Sequence, residues 1–376
     1  MKNNKKILLV TRPLSPPWDE ASKNFAFDLV KNISNKNITI LTSTFNKELS
    51  KNIQQKQIHS QSKNDFNFAE KIRSLLFQIK NHKNFDIIHF MFTPTKLNSF
   101  VIKNFVNNKK TKTIQTVTTL REDLYSDEEL KKLMFGDVIV TYSKYAKEKL
   151  KSFGLKNVQQ IYPGINLSKF KPEEKNLELM KKWNLTEKDF IVSFPGEYVR
   201  LDATDFIIDT FIELWKNKKN HNIKYLCACR IKNEKDAKKK KEVIETLKKV
   251  GHLNKVVFTD TFGDVNKIYN LSDVVLFPVN NMKGKFDVPL AMIEPYACKK
   301  PVIASDLPIL QEFSSEKINV IIKRNNKEDL KNAILLLKDD EDKKKELGEN
   351  AFDFAHETFD IKEIAEQYEK IYEELF

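Results

Sequence analysis

Glu294 stands inside an apolar helical run in the stretch FDVPLAMIEPYACKKPVIASD, which covers Phe286 to Asp306. Leu290, Ile293 and Ala297 fall on one face at helical spacing. A carboxylate beside that stripe needs hydroxyls or positive charge opposite it, because burying it unpaired is costly. Pro289 suits a first helical position, whose N–H is unpaired in any helix. Pro301 to Asp306 then reads as a short core strand. A helix start that favours anions, followed by an internal acid, could hold a phosphate-bearing ligand with a polyol.

Other candidates follow the apolar runs. In the second half these are Gly196, Glu197 and Arg200 in SFPGEYVRLD, Arg230 and Lys232 in CACRIK, and Lys283 and Lys285 in NMKGKFD. Several cations near one predicted cleft edge match the charge of a diphosphate, and Arg matches it geometrically. In the first half they are Asp19, Glu20, Ser22 and Lys23 after the first run, His89 within DIIHFMF, and Arg121 after QTVTT. His89, between Ile88 and Phe90, reads equally as a core histidine and as a ligand contact. Arg121 with Glu122 and Asp123 also reads as a capped turn.

Composition and glycine placement remove several chemistries. No glycine precedes Gly136, so the loop after the first strand cannot be a GxGxxG dinucleotide fingerprint, and no GKS or GKT occurs. Hydride transfer and P-loop chemistry are thereby disfavoured. A ligand near the first strand would instead approach SPPWDEASKN, where Ala21 and Ser22 are the smallest side chains at a helix start. Cys227, Cys229 and Cys298 are too few for a disulfide framework and lack metal-ligand spacing, which fits a reducing compartment. The lead MKNNKKILLVT is too short for a signal peptide or a membrane span. These points make the expected location cytoplasmic.

The formal charge is +13, from 65 Lys and Arg against 52 Asp and Glu, with acids interleaved through most of the chain. The bland interpretation is a solvated, lysine-rich surface. The functional one is attraction to an anionic membrane or polyanionic substrate. No nucleic-acid-binding motif is present.

These residues need scaffolding, and short apolar runs alternating with longer amphipathic ones predict parallel sheets with helices on both faces. Strands are expected at Ile7–Thr11, Ile38–Thr42, Asp86–Phe92, Thr113–Thr119, Val138–Tyr142 and Val158–Tyr162. After a polar passage from Asn166 to Asp189 they resume at Ile191–Phe194, Ile223–Cys229, Val256–Thr259, Val274–Phe277, Pro301–Ser305 and Val320–Ile322. The chain of 376 residues thus divides into an N-terminal Rossmann-like domain, 1–165, and a C-terminal Rossmann-like domain, 166–355. Residues 356–376 form a terminal helix that crosses back to the first domain. The fold class is α/β, with two doubly wound domains facing a central cleft.

At this point FDVPLAMIEPYACKKPVIASDLPILQE, VTYSKYAKEKLKSFGLKNVQQIYPGINLSKFKP and IYNLSDVVLFPV together resemble the retaining glycosyltransferases of family four, which have the GT-B fold. The resemblance implies that Glu294 binds the ribose hydroxyls of a nucleotide-sugar, and that the amides of Leu290 and Ala291, after Pro289, approach its diphosphate. The family's two acids are spaced E-x7-E, whereas Phe286 stands eight positions before Glu294, with Asp287 next to it. The Arg and Lys of its G-R-x4-K-G pattern fall on Glu197 and Asp202, leaving Arg200 and Arg230 to supply positive charge. Its paired first-loop glycines are Ala21 and Ser22, and its histidine after the fourth strand falls near Thr118 and Thr119.

The implied activity is transfer of a sugar from a nucleotide diphosphate sugar to a glycan or lipid hydroxyl, with retention and without metal or further cofactor. Asp287 and His89 are the catalytic candidates. Glu294, Pro289, Leu290, Ala291, Gly196, Glu197, Arg200, Arg230, Lys232 and Lys285 would hold the donor. Asp19, Glu20, Ala21, Ser22, Lys23 and Arg121 would face the acceptor. The rivals are a non-catalytic nucleotide-sugar or glycan-binding protein on the same scaffold, and a GT-B phosphorylase or epimerase. The basic balance leaves an anionic membrane at the inner face open as a partner; nucleic acid is not expected.

Overall fold

Short apolar runs become parallel strands in a computed structural model that describes residues 5–16, 18, 20–34, 37–60, 67–108 and 110–375. Asp19, expected on the acceptor side, lies outside the described residues. The chain forms two compact units. The first comprises Met1–Asn166, Gly284–Val288 and Phe359–Phe376, and the second Leu167–Lys283 and Pro289–Thr358.

In the first unit the order is β1 (Ile7–Val10), α1 (Ala21–Asn32), β2 (Ile38–Thr42), β3 (Gln54–Gln57), α2 (Phe68–Asn81) and β4 (Ile87–Phe92). There follow α3 (Lys96–Val101), β5 (Lys112–Val117), α4 (Asp127–Leu133), β6 (Val138–Thr141), α5 (Lys144–Ser152) and β7 (Val158–Gln160). The sheet runs β3-β2-β1-β4-β5-β6-β7, all parallel, so its order reverses between β1 and β4. β3 was not expected. Its sequence QQKQ is wholly polar and largely exposed at a sheet edge, where a strand needs no apolar face.

In the second unit α6 (Leu177–Lys182), β8 (Phe190–Glu197), α7 (Thr204–Trp215), β9 (Ile223–Arg230), α8 (Glu234–Lys249), β10 (Val256–Phe258) and α9 (Val265–Leu271) come first. β11 (Val274–Phe277), α10 (Leu290–Ala297), β12 (Val302–Ser305), β13 (Asn319–Ile322), α11 (Lys327–Asp339) and α12 (Glu341–Phe359) complete the order. This sheet runs β10-β9-β8-β11-β12-β13 and reverses between β8 and β11. In open α/β sheets a ligand crevice lies beyond the carboxyl ends of the strands at such a reversal. The strands are nearly continuous buried apolar runs, as parallel strands covered on both faces require.

α13 (Ile361–Glu374) returns to the first unit and packs on α1. Ile165 bridges to Asp360, and a Cβ on Gly164 would stand 2.7 Å from the Ile361 Cα, so a side chain there has no room. Among the described residues no helix is long and apolar enough to cross a membrane.

Candidate functional site

β8 and β9 end side by side, with Glu197 paired in register to Arg230. Glu197 is buried, and Arg230 donates to its Oε1 from Nη2 at 2.7 Å and from Nε at 3.2 Å. Lys232 Nζ stands 3.8 Å from the same oxygen, and Arg200 Nη1 3.9 Å from Oε2. Three cations thus converge on one acid at the carboxyl edge of the sheet. Gly196 precedes it because Phe194 lies against the backbone: an added Cβ would meet its ring at 2.7 Å. The loop after β8 is tied to the loop after β11, since Asn280 donates its N–H to Leu201 O at 3.2 Å and its side-chain amide to Asp202 O at 2.6 Å. The two loops flanking the sheet reversal are therefore held together.

α10 starts after that second loop. Pro289 is its N-cap, not its first helical residue as the sequence suggested, and it is extended at φ −78° and ψ 93°. The N-cap side chain makes no capping hydrogen bond, and no acid of the helix occupies its first turn, where the positive end of the dipole lies. Leu290 and Ala291 begin it, half-buried. Glu294, one turn on, is half-buried, and Tyr269 of α9 donates its hydroxyl to Glu294 Oε2 at 2.7 Å. Burial and then the Glu294 charge push the Tyr269 phenol up, which keeps it a donor. The expectation that the internal acid meets a hydroxyl is met within the protein itself. Tyr269 had not been singled out, although it lies in the quoted segment IYNLSDVVLFPV.

Asp287 and Lys285 lie in the short segment between β11 and α10. Both belong to Gly284–Val288, which clusters with the first unit. Asp287 is buried, and both carboxyl oxygens accept the Leu120 N–H, at 3.2 and 3.1 Å, while its own N–H reaches Thr118 O at 3.4 Å. Burial outweighs that hydrogen bond and pushes its carboxyl up to about 8. Phe286, eight positions before Glu294, packs on the buried Tyr142 with ring centroids 4.8 Å apart. Asp287 therefore braces the loop after β5.

The catalytic reading of His89 is corrected. It is fully buried in β4, its Nδ1 lies 2.7 Å from the Tyr372 hydroxyl and its Nε2 2.7 Å from Thr116 Oγ1, and burial lowers its pKa to about 3. Both nitrogens are engaged in the core, so a catalytic role does not fit. Arg121 fills its fork with its neighbour Asp123, from Nε at 2.7 Å and Nη2 at 2.8 Å, the capped turn the sequence had also allowed. Glu20 precedes α1 without a capping hydrogen bond from its side chain; Ala21 and Ser22 open that helix half-buried, and Lys23 is buried with Nζ 5.8 Å from the Trp18 ring.

Residues 175–354 match the family model of glycosyl transferases group 1. The matched residues lie almost wholly in the second unit. Over 261 residues, 67% of this chain and 62% of the relative, the sequence is 25% identical to an uncharacterized glycosyltransferase of Methanocaldococcus jannaschii. A second glycosyltransferase of that organism is 27% identical over 64% of this chain and 60% of its own length. The matches thus span about three-fifths of these curated relatives.

Among solved structures, Anabaena HepE in complex with UDP and glucose superposes with a TM-score of 0.78 at 14% identity, over 98% of this chain and 99% of that one. Sucrose-phosphate synthase from Thermosynechococcus elongatus gives 0.77 at 17% identity, over 98% of each. The fold is therefore that of the GT-B glycosyltransferases, built from two Rossmann-like units.

Proposed function

We propose that the protein is a glycosyltransferase that moves a sugar from a nucleotide diphosphate sugar to an acceptor hydroxyl on a glycan or lipid, with retention of anomeric configuration. The observation that carries this is Glu294, oriented by Tyr269 one turn inside an uncapped helix start at the carboxyl edge of the second sheet. Glu294 would take the ribose hydroxyls, and the amides of Leu290 and Ala291 the diphosphate. Negative charge grows on that diphosphate as the bond to the sugar breaks, and stabilising it is the main catalytic demand. Arg200, Arg230 and Lys232 around Glu197 supply positive charge there without a metal. Glu20, Ala21, Ser22, Lys23 and Arg121 on the first unit are the proposed acceptor side. A uridine diphosphate sugar is the first donor to try, because HepE was also solved with UDP-glucose.

The test is release of nucleoside diphosphate from a panel of nucleotide-sugars with mixed glycan and lipid acceptors. Turnover of one donor, abolished by Glu294→Ala, is expected. Tight binding of a donor without turnover would favour a second reading, a non-catalytic nucleotide-sugar-binding protein, which the acid at position 197 supports.

A further inference from the structure

Helix α2 is amphipathic in the reverse sense. Its inward face carries Glu70, Ser74 and Gln78 at i, i+4 and i+8, all buried. These bond within the fold: Ser60 Oγ donates to Glu70 Oε1 at 2.6 Å, His59 Nδ1 lies 3.0 Å from Glu70 Oε2, and Gln78 donates to Ser74 at 3.0 Å. The outward face carries Phe68, Ile72 and Leu76 at the same spacing, with Phe68 69% and Leu76 49% exposed. A helix on a water-facing surface normally buries such a stripe.

The neighbouring element repeats the pattern. α3 continues as a π-helical turn through Val106, and Ile102 and Val106 bury themselves in the same apolar cluster as Phe77 and Ile79 of α2. Leu97, Phe100 and Phe105 point outward, with Phe100 60% exposed. Lysines flank both elements: Lys71, Lys80 and Lys83 at α2 and just beyond it, Lys103 on the second element, and Lys96 there too, paired with Glu129 of α4 at 2.6 Å. From Asn67 to Lys112 the sequence has nine Lys and Arg against two acids, Glu70 and Asp86, more than half the chain's net +13. Glu70 faces inward, and Asp86 accepts the Lys6 N–H.

We propose that the face formed by α2 and residues 96–106 docks on an anionic lipid bilayer. Large apolar side chains ringed by lysines are what an interfacial surface needs, the former entering the acyl boundary and the latter meeting anionic headgroups. A second copy of the chain would set Lys71 and Lys80 against like charge, and a soluble polyanion would leave the apolar stripe wet. The inference is independent of sugar transfer, since none of these residues belongs to the proposed donor site.

Sedimentation with vesicles of phosphatidylglycerol and phosphatidylcholine, against phosphatidylcholine alone, tests it with the full chain. Binding is expected only to the anionic vesicles and should weaken with salt. Leu76→Ser with Phe100→Ser should weaken it by about tenfold or more, and so should Lys71→Glu with Lys80→Glu. Leu336→Ser, at an exposed leucine of α11, should bind as wild type. Thermal midpoints identify any variant that fails to fold, and the lysine pair, being wholly exposed, decides if the apolar pair does. Absence of binding at low salt, equal loss in Leu336→Ser, or a dimer in sedimentation velocity that Leu76→Ser with Phe100→Ser abolishes would each overturn the proposal.

Discussion

The Tyr269 hydroxyl reaches Glu294 Oε2 at 2.7 Å, linking the helix before β11 to the helix after it. A half-buried carboxylate that keeps one oxygen on a fixed donor is held in one orientation, so a ligand diol meets a preset acceptor. Tyr269→Phe should therefore weaken nucleotide binding by about fivefold, near 1 kcal/mol for a charge-assisted hydrogen bond, while Glu294→Ala weakens it by at least that much. Calorimetric titration with uridine diphosphate checks both. Unchanged affinity in Glu294→Ala would remove the ribose assignment.

Arg230 bears on stability as well as on ligand. Its removal takes from Glu197, buried at the end of β8, a cation at 2.7 Å, while Arg200 and Lys232 stand at 3.9 and 3.8 Å. Stripping the nearest partner from a buried charge is costly, and allowing for the partial exposure of Arg230 a loss of about 2 kcal/mol is expected for Arg230→Ala. Adding Glu197→Gln should restore most of it. Urea denaturation of the two single variants and the double variant gives the coupling; additive losses would show that the pair does not act as a unit.

How much of this was legible in the sequence depends on the kind of signal. Buried parallel strands are continuous apolar runs, so β1, β2, β4 and β11 stood out, whereas QQKQ did not, because an edge strand takes its hydrogen bonds from β2 without an apolar face. Glu294 was conspicuous as an acid in an apolar helix, but Tyr269, 25 residues earlier, is one aromatic among many until the fold brings it near. Asp287 shows the limit most clearly. Its place in the same stretch as Glu294 said nothing of its surroundings: the five residues Gly284–Val288 cluster with the first unit, and its carboxylate accepts from the amide of Leu120. For His89 sequence chemistry left both readings open, and only burial between Tyr372 and Thr116 chose the core one.

Gly164 should tolerate no side chain. An alanine Cβ would stand 2.7 Å from the Ile361 Cα and 2.8 Å from its Cδ1, at the start of α13, and relieving a backbone contact requires the helix to move. Gly164→Ala is expected to lower the thermal midpoint and expose α13 to proteolysis, on the scale of about 1–3 kcal/mol typical of overpacking. Limited proteolysis read by mass spectrometry locates the cut; a wild-type pattern would count against close packing there.

Two buried groups of the first unit give stability opposite pH dependences. His89 is lowered from 6.5 to about 3, so in the intervening range the unfolded chain binds a proton that the folded one does not. Its contribution is present above 6.5 and is lost as pH falls through about 3. Asp287 is raised from 3.8 to about 8, so there the folded chain holds the extra proton; its contribution is present below 3.8 and is lost as pH rises through about 8. Between 3.8 and 6.5 the two slopes oppose one another, and above 6.5 that of Asp287 acts alone. Asp287→Asn should accordingly flatten the alkaline limb of thermal midpoint against pH, with the difference from wild type changing from pH 3.8 to about 8 and not beyond. His89→Gln should alter the acid limb alone. An Asp287→Asn profile parallel to wild type across the alkaline limb would mean that the carboxyl is already ionised in its buried place against Leu120.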